Sequence, residues 1–285
     1  MKKILDNKLI FFIPFLIIMI ISFLDMYNAK YLSSLYNHNL IKQIIWYGIG
    51  IFIFIISKCI NTKNIFKYSF ILYIISITLL IYVLMFGKVI NGAKAWITIK
   101  GLSFQPSELT KLSLAIMLSD LAGKFKSTGI KSEFIFLLKV AILILIPSVL
   151  VFLEPDSGAI IFFLVITLAI LMFSDIHKFW FTIVFILIAL FIGGFILLYL
   201  YNKDLLISLI GTSFFYRMDR ILNWSNSSGL QLTNGLTAIG SGGLFGHGFN
   251  HTPIYFPEMQ TDFIFAVFAS NFGFAGVIGL LLLIV

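Results

Sequence analysis

The sequence predicts an all-α polytopic membrane protein with about eight transmembrane helices. Among its 285 residues, 60% are hydrophobic and only 11% are charged, and the mean hydropathy is +1.06. The apolar residues form successive runs that are too long and too numerous for the core of a soluble domain. A glycine-rich polar stretch lies between the seventh and eighth runs.

We interpret each apolar run as one candidate span. The runs cover residues 9–24, 41–56, 65–86, 109–121, 134–153, 158–173, 179–201 and 263–285. The fourth run is short for a hydrocarbon core of about 30 Å, and it contains Lys111. We therefore expect it either to span with a functional charge or to be covered by neighbouring helices.

The first run follows Lys2, Lys3 and Lys8, an arrangement that also begins a secretory signal peptide. No small-x-small cleavage site follows this run, whereas further apolar runs do. We therefore expect it to be retained as the first membrane helix.

The lysines predict the orientation. The chain carries 20 basic and 12 acidic residues, a net charge of +8, and its lysines occur in short groups between apolar runs. This grouping follows the positive-inside rule and argues against nucleic acid as a partner. With a cytoplasmic N-terminus, the lysines expected inside are Lys2, Lys3, Lys8, Lys58, Lys63, Lys67, Lys124, Lys126, Lys131 and Lys178. The loop of about residues 202–262 then lies outside, and a loop of that length is more often functional than idle.

Other classes of function lack their motifs in this sequence. Cys59 is the only cysteine, so the chain has neither an internal disulfide nor a cysteine cluster for a metal. The sequence contains no phosphate-binding loop of the Walker type and no dinucleotide fingerprint, which argues against nucleotide-driven transport.

The chain is organised around the stretch from Asn234 to Phe274. Five glycines are clustered in it: Gly240, Gly242, Gly243, Gly246 and Gly248. Glycine weakens a helix, so these residues predict a compact loop with positive φ angles or close approach of the backbone.

Asp262 stands where this loop meets the last apolar run. Thr-Asp before an apolar run is a common helix start, so Asp262 is either the N-cap of the last helix or part of a functional site. Spacing alone leaves both interpretations open.

The segment from Asn91 to Glu108 is a second polar constellation on the predicted outer side. Trp96 fits an interfacial anchor, and Pro106 fits the first turn of a helix. Glu108 and Lys111 are three residues apart and share one helix face, so we expect them to pair or to meet a polar ligand.

Three further groups have weaker signals. Glu154 to Gly158 sets two carboxylates around a proline, which favours a turn. Arg217 and Arg220 either bind a phosphate or pyrophosphate or belong to a solvated loop. His247 and His251 have a metal-binding spacing, but they lie among glycines, which argues against a metal site.

Several motifs carry a family resemblance in chain order. They are Gly92-Ala93-Lys94-Ala95-Trp96, Gln105-Pro106-Ser107-Glu108 with Lys111, Glu154-Pro155-Asp156-Ser157-Gly158, Ala238-Ile239-Gly240-Ser241-Gly242-Gly243, and Pro257-Glu258 followed by Thr261-Asp262-Phe263-Ile264-Phe265-Ala266-Val267. Together they resemble the SEDS family, whose members act in cell elongation (RodA type) or in division (FtsW type). The resemblance extends over nearly the whole chain, as one SEDS-type domain over residues 1–285.

The resemblance implies a peptidoglycan glycosyltransferase that polymerises lipid II at the outer face of the bacterial cytoplasmic (inner) membrane. It implies a class B penicillin-binding protein and the elongation or division machinery as partners, besides membrane lipids. It names no certain cofactor and leaves a divalent cation open. The wording of the glycine-rich motif favours the RodA type, with a role in elongation and rod shape.

The resemblance also implies site residues. Asp262 is expected to be the general base. The residues expected to bind substrate are Lys94, Trp96, Glu108, Lys111, Asp156, Arg220 and Glu258. The family usually has ten spans, so we expect this chain, with its eight runs, to be a C-terminally truncated member.

Departures from the family pattern keep two other functions open. Ala95 stands where the family usually has a basic residue, Gln260 where a histidine is frequent, and Ser270-Asn271 where an acidic pair is usual. The alternatives are a lipid II flippase and a non-catalytic scaffold of a cell-wall synthase.

Overall fold

The structure, a computed structural model, describes residues 2–32, 39–90, 93–99, 102–212, 215, 230–249, 251–255 and 258–285. The helices are α1 (Lys2–Leu32), α2 (Asn39–Cys59), α3 (Thr62–Lys67), α4 (Ser69–Phe86), α5 (Pro106–Lys124), α6 (Ile130–Leu153), α7 (Ser157–Met172), α8 (Phe179–Tyr201), α9 (Lys203–Ile210), α10 (Leu230–Ser241) and α11 (Ile264–Ile284). The strands are β1 (Lys88–Ile90), β2 (Ala93–Ile99) and β3 (Leu102–Phe104). Each of the eight apolar runs falls on helix, which confirms the predicted fold class.

Within the described residues, five helices are long and apolar enough to cross a membrane: α2, α4, α6, α8 and α11. Residues 12–28 of α1 and 158–172 of α7 form shorter apolar stretches. Many apolar side chains on these helices are exposed, among them Phe52 at 64% and Leu190 at 66%. Exposed apolar surface of this extent fits contact with lipid rather than with water. The count of eight spans stays a prediction.

The chain divides into two compact units, residues 1–53 with 197–285 and residues 54–196. In the second unit, α5 packs against α4, α6 and α7 around the fully buried side chains of Leu80, Leu114, Val151 and Phe163. The short helix α5 is therefore packed among its neighbours, and whether it also crosses the membrane stays a prediction.

Hydroxyl groups also join the helices of this unit. Ser76 of α4 and Ser113 of α5 share a hydrogen bond of 2.7 Å, and the Tyr73 hydroxyl donates to the Leu143 carbonyl at 2.9 Å. Such bonds satisfy polar groups that would otherwise be buried in an apolar bundle.

A small antiparallel sheet, in the order β1-β2-β3, connects α4 to α5. Trp96 pairs with Lys88 across the first two strands, and Ile97 pairs with Phe104 across the second and third. The sequence does not predict these strands, because β1 and β3 have only three residues each and all three lie in a segment that resembles a polar connection.

At the other end of this unit, Glu133 joins two loops. Its buried carboxylate accepts hydrogen bonds from the Ser127 hydroxyl and from Trp180 Nε1 at 2.7 Å, and it lies 2.5 Å from His177 Nδ1. The segments before α6 and before α8 therefore meet at the same end of the bundle, as the alternating topology predicts.

In the first unit, α11 packs against α1 and α10. The described residues of the predicted loop 202–262 include the helices α9 and α10, so this part of the loop is more structured than its composition indicated. Ala238, Met259 and Val267 are fully buried where α10 packs on the beginning of α11.

Candidate active site

The helix α11 is broken near its middle. Gly273 has φ 62° and ψ −165°, a conformation outside the helical region, so the helix continues only after a local interruption. A broken helix within a membrane leaves N–H and C=O groups that need other partners.

The glycine-rich segment after α10 supplies those partners. In an unbroken helix Phe274 N–H would bond the Ser270 carbonyl; here it donates to Gly243 O at 2.9 Å, and Ser270 O accepts from His247 N–H at 2.9 Å. One residue further on, Ala275 N–H donates to Leu244 O at 3.0 Å. Four inter-segment bonds thus take the place of two helical ones, the fourth running from Gly248 N–H to Asn271 O at 3.0 Å.

Glycine is required where these two backbones meet. A Cβ at Gly246 would lie 2.1 Å from Asn271 O, one at Gly273 would lie 2.4 Å from Gly246 N, and one at Gly242 would lie 2.4 Å from Ala269 O. The positive φ angles of Gly243, Gly246 and Gly248 also match the predicted compact loop.

One of the clustered glycines was assigned wrongly. Gly240 was predicted to lie in the loop, but it belongs to the last turn of α10, which ends at Ser241. A Cβ at this position would meet open space, so no close contact requires glycine there.

Asp262 lies in the turn just before α11, and its side chain is exposed. The N-cap is Phe263, and no side chain makes a capping bond there, so the cap interpretation of Asp262 is wrong. Among the described residues, no hydrogen bond or ion pair engages the Asp262 carboxylate. An exposed carboxylate without a structural partner is available to a ligand.

Glu258 is more constrained than Asp262. Its φ is 58°, its carbonyl accepts from Thr261 N–H and Phe263 N–H, and its carboxylate accepts from the Thr261 hydroxyl at 3.1 Å and from Gln260 Nε2 at 3.3 Å. This residue therefore shapes the turn that presents Asp262. A contact of Glu258 with substrate stays a prediction.

The two histidines of the loop face different partners. His247 Nε2 lies 3.1 Å from the Ser241 hydroxyl, and His251 Nδ1 lies 3.2 Å from the Phe249 carbonyl. Within the described part of the chain, no group of three or more His, Cys, Asp or Glu side chains is arranged for a metal.

In the other unit, Lys111 pairs with Glu108 as the helical spacing predicts. Their charged atoms are 2.7 Å apart, with 20% of the Lys111 side chain and 58% of the Glu108 side chain exposed. The Lys111 ammonium also lies 4.4 Å from the centre of the Phe162 ring, within the range of a cation–π interaction. The pair therefore anchors the first turns of α5 to α7.

Asp156 joins the beginnings of α5 and α7. It is the N-cap of α7, accepting from Ala159 N–H at 3.3 Å, and it also accepts from Gln105 Nε2 at 2.6 Å and the Ser107 hydroxyl at 3.2 Å. The predicted turn is present, and Asp156 has a structural role in it. Its contact with substrate stays a prediction.

Glu154 is the unusual group of this turn. Its side chain is fully buried, and neither carboxylate oxygen has a hydrogen-bond partner in the described structure. Burial, followed by the nearby charge of Asp156, raises the pKa of Glu154 to about 8. The group therefore holds its proton at neutral pH.

The remaining predicted residues are placed as follows. Lys94, on β2, donates to the Met85 carbonyl at 3.0 Å and so closes the last turn of α4. Trp96 is partly buried on the same strand. Arg220 lies outside the described residues. Asp262 and Glu258 belong to the first unit, and the other described candidates belong to the second.

Sequence reasoning did not single out Gln105 and Ser107 as partners of Asp156, although both stand in the quoted Gln-Pro-Ser-Glu motif. The only local signal was their position before and within the first turn of α5. Contacts across 51 and 49 residues cannot be found by spacing.

Comparisons with known proteins agree with this architecture. A probable peptidoglycan glycosyltransferase FtsW of Buchnera aphidicola subsp. Baizongia pistaciae is 35% identical over 254 residues, which are 85% of this chain and 62% of that relative. The chain spans less than two thirds of the length of the curated relatives it matches.

Two solved structures are also similar. One is a chain of a peptidoglycan synthase complex whose structure concerns the coordination of polymerization and crosslinking. It superposes with a TM-score of 0.70 over 94% of this chain and 73% of its own. At 23% identity, that likeness shows the fold alone. The rod shape determining protein RodA of Thermus thermophilus is 26% identical, with a TM-score of 0.50 over 94% of this chain and 70% of its own.

The family comparison covers almost the entire sequence. Residues 6–285 match the family FTSW_RODA_SPOVE, described as cell cycle protein. The match confirms the resemblance that the motifs carried. The chain belongs to the SEDS family, the group that includes FtsW and RodA.

Proposed function

We propose that the protein is a peptidoglycan glycosyltransferase that polymerises lipid II into glycan strands at the outer face of the bacterial cytoplasmic membrane. The observation that carries this proposal is the exposed Asp262 carboxylate, with which no described residue forms a hydrogen bond or an ion pair. Asp262 lies in a turn that is held by backbone hydrogen bonds next to the buried contact between α10 and α11. The name of the Buchnera relative supports the same activity.

The chemistry needs one proton acceptor. A sugar hydroxyl of the acceptor attacks the anomeric carbon of the donor, the bond from that carbon to the pyrophosphate oxygen breaks, and the leaving polyprenyl pyrophosphate keeps the electron pair. Asp262 takes the hydroxyl proton as the new bond forms. A positioned general base of this kind typically contributes about 10²- to 10⁴-fold in rate.

Charge balance at the leaving group requires cations. Lys94, Lys111 and Arg220 are the candidates that the family resemblance supplies. Lys111 already pairs with Glu108 and lies over the Phe162 ring, and Lys94 already donates to the Met85 carbonyl. An ammonium has three N–H donors, so each lysine can still donate to a pyrophosphate. A resident cofactor is not part of the proposal.

The proposed partner is a class B penicillin-binding protein, which would cross-link the new strands. The similar chain in a peptidoglycan synthase complex supports an assembly of this kind. The proposed location is the bacterial inner membrane, with the N-terminus in the cytoplasm, and the lysine distribution supports that orientation.

The cellular role is either elongation or division. The glycine-rich motif favoured the elongation type, and the similarity to the Thermus RodA structure agrees with it. The FtsW names of the curated relatives favour division. The roles can be separated by expressing this protein in one strain depleted of its own RodA and in another depleted of its own FtsW. Restored rod growth in the first strain supports elongation, and restored septation in the second supports division.

The activity is tested with purified protein, its cognate penicillin-binding protein and labelled lipid II in vesicles. Glycan chains resolved by electrophoresis are the expected product. Movement of the headgroup across the bilayer without polymer would instead indicate a flippase. Binding without either event would indicate a scaffold and would overturn the enzymatic proposal.

A further inference from the structure

An open cleft lies at the lysine-rich end of the second unit, between α3 and the last turns of α5. Its volume is about 570 Å³. Three lysines line it, Lys63, Lys67 and Lys124, together with Asp120 and Ser119. Among the described residues that line it, Asp120 is the only acid, so the cleft carries an excess of positive charge.

The one acid is already engaged. Asp120 pairs with Lys124 at 2.6 Å and accepts a long hydrogen bond of 3.4 Å from the Ser69 hydroxyl. Lys63 and Lys67 form no ion pair with any described residue. They are four residues apart and therefore share one face of α3, where two like charges repel each other in the absence of an anion.

Apolar surface adjoins these charges. Phe66 also lines the cleft and is 41% exposed. Phe70 and Ile71, in the first turn of α4, are 58% and 53% exposed. A ligand that fits this surface combines a negative headgroup with hydrocarbon chains, and a free inorganic anion would use only the lysines.

We propose that this cleft binds the headgroup of an anionic phospholipid, with its acyl chains along the exposed apolar face of α4. Lys63 and Lys67 contact the phosphodiester, and Phe66 packs beside the first methylene groups. Basic pockets at the ends of membrane helices recognise lipids in this way. The proposal does not depend on the proposed glycosyl transfer.

A simpler explanation is that these lysines only set the topology. In that case Lys63 and Lys67 would attract anionic lipid no better than Lys126 and Lys131, which lie at the same end in the α5–α6 connection and at the start of α6. The latter two are exposed and do not line the cleft. The two pairs therefore form a matched comparison with equal loss of charge.

The test is native mass spectrometry of the purified protein, titrated in detergent with phosphatidylglycerol or phosphatidylcholine. We expect the wild type to prefer phosphatidylglycerol. The Lys63→Gln/Lys67→Gln variant should bind it about 25-fold more weakly, if each lysine that contacts the anionic headgroup contributes the factor of about five that a lysine contributes at an anionic lipid surface. The Lys126→Gln/Lys131→Gln variant should stay within about twofold of the wild type.

A second variant keeps every charge. Gly123 lines the cleft in the last turn of α5, and a Cβ at this position would meet open space. Gly123→Leu should therefore fold normally, with an unchanged apparent Tm, and still weaken phosphatidylglycerol binding by obstructing the cleft.

Three outcomes would overturn the proposal. The first is an equal loss of phosphatidylglycerol affinity in the two double-lysine variants. The second is unchanged phosphatidylglycerol binding in Lys63→Gln/Lys67→Gln or in Gly123→Leu. The third is complete displacement of the lipid by millimolar inorganic phosphate. The last result would assign the cleft to a free anion. Polymerisation of lipid II is measured separately, so failure of one proposal leaves the other standing.

Discussion

At the scale of single residues, the buried Glu154 makes stability depend on pH. Its pKa is raised from 4.5 to about 8, so the folded protein binds a proton there that the unfolded chain has released at neutral pH. The resulting stabilisation is complete below about pH 4.5 and is lost as the pH rises through 8.

The variant Glu154→Gln tests this dependence, because glutamine resembles the protonated acid and cannot ionise. At pH 5 the wild type and the variant should have similar apparent Tm values. At pH 9 the variant should be the more stable of the two. Parallel curves for wild type and Glu154→Gln would refute the burial argument.

The sequence could predict contacts between neighbours along a helix but not contacts between distant segments. The pairing of Glu108 with Lys111 followed from their spacing of three residues. The bonds of Asp156 to Gln105 and Ser107 depend on how α5 and α7 pack, which no local pattern specifies. For Asp262, the local pattern suggested a cap that the structure does not contain.

At the scale of elements, the packing of the glycine-rich segment on the broken helix is the feature most sensitive to substitution. Gly246→Ala should lower the apparent Tm strongly, because its Cβ would overlap Asn271 O as well as occupy a positive φ. Gly248→Ala has the same kind of φ but open space, so it should cost only about 1–2 kcal/mol. Thermal unfolding in detergent compares the two variants. Equal effects would mean that backbone conformation alone, without the contact, explains the glycines.

The clustered glycines were predictable as a loop because positive φ is a local property. The break at Gly273 was not predictable, since this residue lies inside an apolar run that reads as one continuous helix. Its cause is distant in sequence: the carbonyls of Gly243 and Leu244 compete for the N–H groups of Phe274 and Ala275.

At the scale of the whole molecule, the orientation can be measured by single-cysteine labelling in a Cys59→Ser background. A cysteine at position 250 should react with an impermeant reagent from outside the cell, and one at position 126 only after permeabilisation. The lysine asymmetry is the reason for this expectation. Labelling of position 250 from the cytoplasm only would reverse the topology and remove Asp262 from the outer face.

The general architecture could be predicted from the sequence because the hydropathy and length of each helix depend only on its own residues. All eight runs fell on helices, although the third divides into α3 and α4 and the predicted outer loop contains α9 and α10. The small sheet β1–β3 was missed, since β1 and β3 have only three residues each and the seven-residue β2 lies in a segment that resembles a polar connection.

The most direct test of the proposed function is the rate at which Asp262→Asn polymerises labelled lipid II. Asparagine keeps the size of aspartate and cannot accept the proton, so the rate should fall at least about 10²-fold while membrane abundance and apparent Tm stay near wild type. Glu258→Gln is the control and should lose less, because its carboxylate already bonds Gln260 and Thr261 in the same turn. Polymerisation by Asp262→Asn at the wild-type rate would contradict the assignment of Asp262 as the general base.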